Sequence, residues 1–266
     1  MQDCKTSLVP LPHNLNNLPP CSPNACPDIP DTDITISYQR LVGSITYLAI
    51  CTRPDLAYCA MALGQHNASP TRAHLVVAKG VLRYLAGTVH FGLTFSVHNE
   101  HIPPSIQPYT LACGLSDADW ASDENDRKSI SGYCFFFCNS LVSWSARKQR
   151  TVSTSSTESE YYALANTMKE AIWLKLFLTL TKLHTPHSFP LLCDNQSARL
   201  IASSDSVSSR TKHIDVRYHF IREHVANGSF PLHWIPTSDM TADIFTKSLP
   251  TVLFQRHRDS LGLLPL

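Results

Sequence analysis

Residues 109–147, YTLACGLSDADWASDENDRKSISGYCFFFCNSLVSWSAR, decide how this chain folds. Aromatic and β-branched residues crowd three successive stretches, Tyr109 to Asp117, Ser131 to Asn139 and Leu141 to Arg147, and Asn139-Ser140 supplies a tight turn between the last two. Such residues suit a pleated, half-buried surface, and short connections join antiparallel neighbours. The pattern predicts three consecutive antiparallel strands. The first of them ends on a carboxylate, Asp117.

Downstream the period changes. A helix is predicted from about Ser156 to Leu183, with Tyr161, Leu164, Ala165, Met168, Ile172 and Leu176 on a broad apolar face. Then follow a short buried strand (Leu191 to Cys193), a short helix (Asn195 to Ala202), a helix bearing three histidines (His213 to Ala226), a strand (Phe230 to Ile235) and a final helix (Asp239 to Ser248). That order describes an α/β domain over 109–250, a mixed five-stranded sheet with flanking helices. Three more acids recur at its punctuation points: Glu160 near the start of the long helix, Asp194 at the end of the apolar run from Phe189, and Asp243 in the last helix. Carboxylates at strand ends and helix starts are where an open α/β sheet gathers ligands for divalent cations. Two such cations form the clamp that phosphodiester hydrolysis uses, so the pattern points to a metal-dependent nuclease.

Upstream, residues 1–36 hold seven of the 18 prolines without sustained periodicity, which predicts an extended lead. From Tyr38 to Leu93 apolar residues recur at three and four (Leu41, Ile45, Leu48; Leu56, Cys59, Leu63; Leu75, Val76, Val81, Leu82, Leu85), with breaks at Arg53-Pro54, Pro70 and Gly87. A three-helix module over 37–98 is expected, with 251–266 left as a tail.

The chain of 266 residues is long enough for a sizeable core, and its 22 basic and 21 acidic side chains leave no global charge to attract nucleic acid. Local charge is more telling. Arg127, Lys128, Arg147, Lys148 and Arg150 occur without an acid between Arg127 and Arg150, and Arg210, Lys212, Arg217 and Arg222 form a second basic stretch. A solvated face explains either stretch alone; their flanking of the carboxylates favours phosphate contacts. Nine cysteines, most of them single within apolar runs, suit reduced buried thiols. Cys21 and Cys26 lack a second pair to complete a zinc site. No apolar run is long enough to span a bilayer, so no membrane partner is expected.

Five ordered motifs, GLSDADWASDENDRKSISGY, SWSARKQRTVSTSSTESEYYAL, CDNQSA, RTKHIDVRYHFIRE and TADIFTKSLP, resemble the ribonuclease H domain at the end of the Pol polyprotein of copia-type LTR retrotransposons. YQRLVGSITYLAICTRPDLAYCAMAL and HLVVAKGVLRYLAGT resemble the thumb and connection of the same element's reverse transcriptase. No Tyr-x-Asp-Asp polymerase motif occurs, so DNA synthesis by this chain alone is not expected. The resemblance implies a ribonuclease H-like fold in which Asp117, Glu160, Asp194 and Asp243 hold two Mg²⁺ ions, with Mn²⁺ as a substitute. It implies cleavage of the RNA strand of RNA/DNA hybrids, partnership with the remaining reverse transcriptase domains, and action in cytoplasmic virus-like particles.

Each acid has a local rival. Asp119 shares a strand face with Asp117, and only the family pattern favours Asp117. Glu158 projects about 200° from Glu160 on a helix. Ser155-x-x-Glu158 and Thr157-x-x-Glu160 both fit a capping box, and the family pattern favours Glu160 as the ligand. Asp194 rivals a simple strand-to-helix cap, and Asp239 is expected to cap the final helix. For substrate, Ser155, Ser156 and Thr157 at the helix start, Asn195 and Gln196 after the third acid, and Arg210 and Lys212 are the candidates, against ordinary capping and turn chemistry. His213, His219 and His224 lack the four-residue spacing of a helical zinc pair. Two other readings stand beside the hybrid nuclease: a catalytically weak remnant that binds nucleic acid or docks to polymerase subunits, and an integrase-like nuclease, which lacks the RTKHID and ADIFTK patterns.

Overall fold

The computed structural model describes residues 4–12, 32–183, 187–203 and 215–266. In chain order the elements are α1 (Thr32–Cys51), α2 (Ala57–Gly64), α3 (Arg72–Gly87), β1 (Phe91–Leu93), β2 (Ala112–Asp119), β3 (Ile130–Phe137), β4 (Ser140–Lys148), α4 (Ser156–Leu180), β5 (Leu191–Cys193), α5 (Gln196–Ser203), α6 (Asp215–Ala226), β6 (Leu232–Trp234), α7 (Thr251–Ser260) and β7 (Leu263–Pro265). They form two compact units, Met1–Thr94 with Lys247–Leu266, and Phe95–Thr246.

The first unit contains the three expected helices. Helix α1 buries Tyr38, Val42, Ile45 and Ala49, a stripe at spacings of four, three and four. It starts at Thr32, inside the stretch expected to be an extended lead, and Leu11 of that lead is also buried. Thr71 caps α3 in a reciprocal box with His74. The segment between α1 and α2 is locked from within: Arg53 forks onto both oxygens of the Asp55 carboxylate at 3.0 and 2.8 Å, and Tyr84 Oη donates to Asp55 Oδ2 at 2.6 Å. Residues 251–266 are not a tail. Apolar Phe254 packs edge-on against Tyr84, and β7 pairs antiparallel with β1, Gly92 opposite Leu264. That apolar content gives the segment a buried place.

The second unit is a five-stranded sheet in the order β4-β3-β2-β5-β6. Strands β2, β3 and β4 are an antiparallel meander, and β5 and β6 run parallel to β2. Strand β2 begins at Ala112 rather than Tyr109, because Pro108 lies in a 3-10 turn over Gln107–Tyr109, and it continues past Asp117 to Asp119. The β3–β4 turn centres on Cys138 and Asn139, both left-handed (φ 50° and 64°), one residue earlier than expected. Two left-handed central residues match the twist of the flanking strands.

Helix α4 lies against the sheet, burying Tyr161, Leu164, Ala165, Met168 and Ala171 with Phe135, Phe189 and Leu191. A Cβ on Gly114 would sit 2.4 Å from Phe135 Cε1, so only glycine admits that ring over β2. The helix stops at Leu180, three residues short of expectation. Lys182 is left-handed (φ 56°), and its N–H and that of Leu183 return to the Thr179 and Leu178 carbonyls.

The expected final helix is absent as an α-helix. Two 3-10 turns, Thr237–Asp239 and Thr241–Phe245, replace it, separated by Met240 at φ −70°, ψ 85°. Asp239 does not cap it; its Oδ2 accepts from Ser105 Oγ at 2.7 Å and holds the preceding connector.

Candidate metal centre and active site

Parallel pairing of β2 with β5 sets Leu115 opposite Leu192. Two residues further on, each strand delivers a carboxylate at the same end of the sheet, Asp117 from β2 and Asp194 just past β5. The fifth residue of α4, Glu160, completes the group: one oxygen from each of the three lies within 4.8 Å of the others. Asp117 and Glu160 are buried, 3% and 8% exposed, and Asp194 is half-buried. Gathering three carboxylates in so small a space opposes folding unless a cation meets them. The donor set is all hard oxygen, which fits Mg²⁺ or Mn²⁺.

The start of α4 is held by buried Gln149. Its Nε2 donates to the Ser159 carbonyl and to Ser131 Oγ, both at 2.9 Å, while Ser153 Oγ donates to its Oε1 at 3.0 Å. This ties the end of β4 to the residue preceding Glu160. The neighbouring acid is engaged elsewhere. Glu158 Oε2 accepts from Thr154 N–H at 2.6 Å and Thr154 Oγ1 at 2.7 Å, and Ser155 Oγ accepts from Glu158 N–H at 3.1 Å. The capping role belongs to Ser155 and Glu158, and Glu160 is the acid that joins the group. Asp119 is half-buried and outside it.

Asp243 is buried, 2% exposed, in the Thr241–Phe245 turn, and it is not among the three clustered acids. That turn rests on β3, where a Cβ at Gly132 would meet Phe245 Cβ and Thr246 Cγ2 at 2.7 Å and the Ala242 carbonyl at 3.0 Å. Thr246, next after the turn, donates its hydroxyl to Asp117 Oδ2 at 2.5 Å.

Thr237 Oγ1 likewise donates to Asp194 Oδ2 at 2.7 Å, and Trp234 Nε1 donates to the Asp194 carbonyl at 2.9 Å. Gln149, Trp234, Thr237 and Thr246 went unread in the sequence. A hydroxyl three residues after Asp243 was the available signal for Thr246, and nothing local marked the others.

Of the substrate candidates, Ser155 and Ser156 are exposed and Thr157 half-buried at the α4 N-terminus. Asn195 Oδ1 accepts from Ala198 N–H at 2.9 Å and so caps α5, while Gln196 is exposed. Arg210 and Lys212, with His213, lie outside the described residues. His219 is exposed, and His224 packs edge-on against Phe220 and Phe230, which leaves it a packing residue. Cys193 lies close under the acids: burial first, then the charges of Glu160 and Asp194, push its thiol up to about 12, so it stays protonated.

No family model matches the chain. A retrovirus-related Pol polyprotein from transposon TNT 1-94 of Nicotiana tabacum is 38% identical over 228 residues, 86% of this chain, of which the chain spans only 16%. Secreted RxLR effector protein 161 of Plasmopara viticola is 42% identical over 147 residues, 55% of this chain and 97% of that protein. Among solved structures, LC11-RNase H1 in complex with RNA/DNA hybrid aligns with 51% of this chain and 93% of its own, at 14% identity and a TM-score of 0.39. Overlap at that level adds nothing to the fold, which the strand order carries by itself. The sequence match and the β4-β3-β2-β5-β6 order of the sheet meet in one conclusion: over most of its length the chain is homologous to part of the copia-type retrovirus-related Pol polyproteins of plant transposons, and it carries a ribonuclease H-like domain.

Proposed function

We propose that this chain hydrolyses the RNA strand of RNA/DNA hybrids in a divalent-cation-dependent reaction that serves retrotransposon reverse transcription. The observation that carries this reading is the convergence of Asp117, Glu160 and Asp194 within 4.8 Å. These three hold Mg²⁺, with Asp243 as the fourth acid of a two-ion site. When bound, the ions lower the proton affinity of water and stabilise charge on the departing 3′ oxygen.

The chain's own groups bind and orient. The Thr246 and Thr237 hydroxyls fix one oxygen each of Asp117 and Asp194. Ser155, Ser156 and Thr157 donate to a backbone phosphate at the positive end of α4, and Arg210 and Lys212 add charge along the strand. Asn195 has spent its oxygen on the α5 cap, so its amide N–H groups face a ribose 2′-hydroxyl, beside Gln196. Contacts of this kind read shape and the 2′-hydroxyl rather than sequence. The remaining reverse transcriptase domains are the natural protein partner, in a cytoplasmic particle.

Cleavage of a labelled hybrid by the purified chain, with Mg²⁺, Mn²⁺ or EDTA, tests the proposal beside single-stranded RNA and duplex DNA. Metal-dependent, hybrid-specific cutting that disappears in Asp194→Asn is the expected result. A well-folded sample that binds hybrid yet never cuts it with either metal refutes it.

A further inference from the structure

We propose that Thr246 is a positioning residue for the metal centre and that Gly132 is what allows it to act. The inference rests on the reading of Asp117, Glu160 and Asp194 as cation ligands. A carboxylate rotates readily about its last bond, and a cation bound by several of them needs each oxygen at a set place. Asp117 is 3% exposed, and no water-facing surface sets its rotation. The Thr246 hydroxyl, itself fully buried, does so by donating to Oδ2.

Thr246 Oγ1 carries a single proton and has two acceptors in reach, Asp117 Oδ2 at 2.5 Å and the Asp243 carbonyl at 3.1 Å. The shorter contact, to a charged oxygen, is the stronger. The Thr246 N–H donates to the same Asp243 carbonyl at 3.1 Å, so Thr246 ties the turn that carries the fourth acid to Asp117, 129 positions before Thr246 in the chain.

That reach depends on a missing side chain. Gly132 lies directly across from Asp117 in the β2–β3 ladder. Its φ is not in the left-handed region, so no backbone requirement calls for glycine there. Space does: a Cβ would stand 2.7 Å from Thr246 Cγ2 and from Phe245 Cβ and 3.0 Å from the Ala242 carbonyl, contacts that move only if the turn itself moves. Any side chain at 132 lifts the turn away and takes the hydroxyl from Asp117. Gly132 and Thr246 thus act as one device, the empty half on β3 and the filled half on the turn.

Thr246→Val keeps the shape and removes the proton donor, Thr246→Ser keeps the donor and removes the packed methyl, and Gly132→Ala displaces the turn. Mn²⁺ binding to the full chain is measured by titration calorimetry, with melting in EDTA recorded for each variant and hybrid cleavage followed against Mn²⁺ concentration. Loss of a group that orients a metal ligand typically weakens binding by about ten-fold or more. Thr246→Val and Gly132→Ala are therefore expected to raise the Mn²⁺ dissociation constant and the half-saturating Mn²⁺ by about ten-fold. Thr246→Ser should stay within about two-fold of the parent, whatever it loses in melting temperature. Parent-like Mn²⁺ binding in Thr246→Val overturns this proposal alone, as does an equal loss in the Ser and Val variants, which would assign the effect to packing. A parent chain that binds no Mn²⁺ overturns the metal centre, and this proposal with it.

Discussion

Asp194→Asn removes one charge from three carboxylates whose oxygens lie within 4.8 Å of one another, and it keeps the shape of the side chain. Two unit charges at that separation repel by about 1 kcal/mol in water and by about 3.5 kcal/mol at an effective dielectric constant near 20. Asp117 and Glu160 are buried and Asp194 half-buried, so each of the two repulsions removed falls between those limits. The Thr237 hydroxyl that donates to Asp194 Oδ2 still finds an amide oxygen in asparagine, as a weaker acceptor, which returns about 1 kcal/mol. The metal-free variant should be more stable than the parent by about 1–6 kcal/mol, or about 3–20 °C in melting temperature.

Cation works against that order. A ligand at a hundred times its dissociation constant adds about 2.7 kcal/mol to the folded state that binds it, and the variant has lost a ligand. Thermal melting followed by circular dichroism at pH 8, in EDTA and then in saturating Mn²⁺, should show Asp194→Asn melting above the parent without metal and gaining much less with it. A variant that melts below the parent in EDTA, or that gains as much from Mn²⁺, would show that the three carboxylates neither repel one another nor share a cation.

The two helix-start acids should separate cleanly. Glu160→Gln should lose Mn²⁺ binding, while Glu158→Ala should lower stability by about 1 kcal/mol, the worth of a cap, and leave Mn²⁺ binding intact; calorimetry and urea melts distinguish them. Burial alone would raise the Asp123 and Asp126 carboxyls, yet Lys148 and amide donors hold both below the ordinary 3.8. Depressed values mean that this stabilisation is complete above the unfolded pKa of about 3.9 and fades as pH falls through the lower folded values. The amide signals of residues 123–128 should report that loss, and in Lys148→Met they should change at higher pH. Burial pushes the thiols of Cys113 and Cys193 up to about 12 and that of Cys134 well above its usual value. Mass spectrometry after brief alkylation should find exposed Cys51 and Cys138 modified and these three intact until the protein is unfolded.

The sheet was legible because each of its strands carries its own signal. Phe135, Phe136 and Phe137 announce β3 whatever surrounds them, and the apolar run ending at Cys193 is too short for a helix and reads as a covered strand. Elements that depend on distant partners were not legible. Residues 251–266 have no strand-like length, and β7 exists because Phe91–Leu93 offers it an edge. The stretch after Asp239 has the composition of a helix. Met240 turns out of helical geometry, and the buried seat of Ala242, Phe245 and Thr246 on β3 is available only to a tighter turn.

The same division runs through the site. Asp194 was readable because a charge that closes an apolar strand has few other uses; Asp117 was told from Asp119 only by the family resemblance, since β2 runs on through both, and parallel pairing then brings Asp117 and Asp194 together as a matter of topology. Glu158 and Glu160 could not be told apart by spacing, since both fit a cap; only the hydrogen bonds of Thr154 and Ser155 show which acid is occupied. Thr246 carried no signal beyond its place three residues after Asp243. A threonine is an ordinary residue in a turn, and its reach to a strand 129 positions away depends on an absent side chain at Gly132. Metal ligands announce themselves by charge in unlikely places, whereas the residues that aim them are known only by what they touch. A chain with all four acids but a bulky residue at 132 would look catalytic in sequence, and by this geometry it would hold its cations poorly.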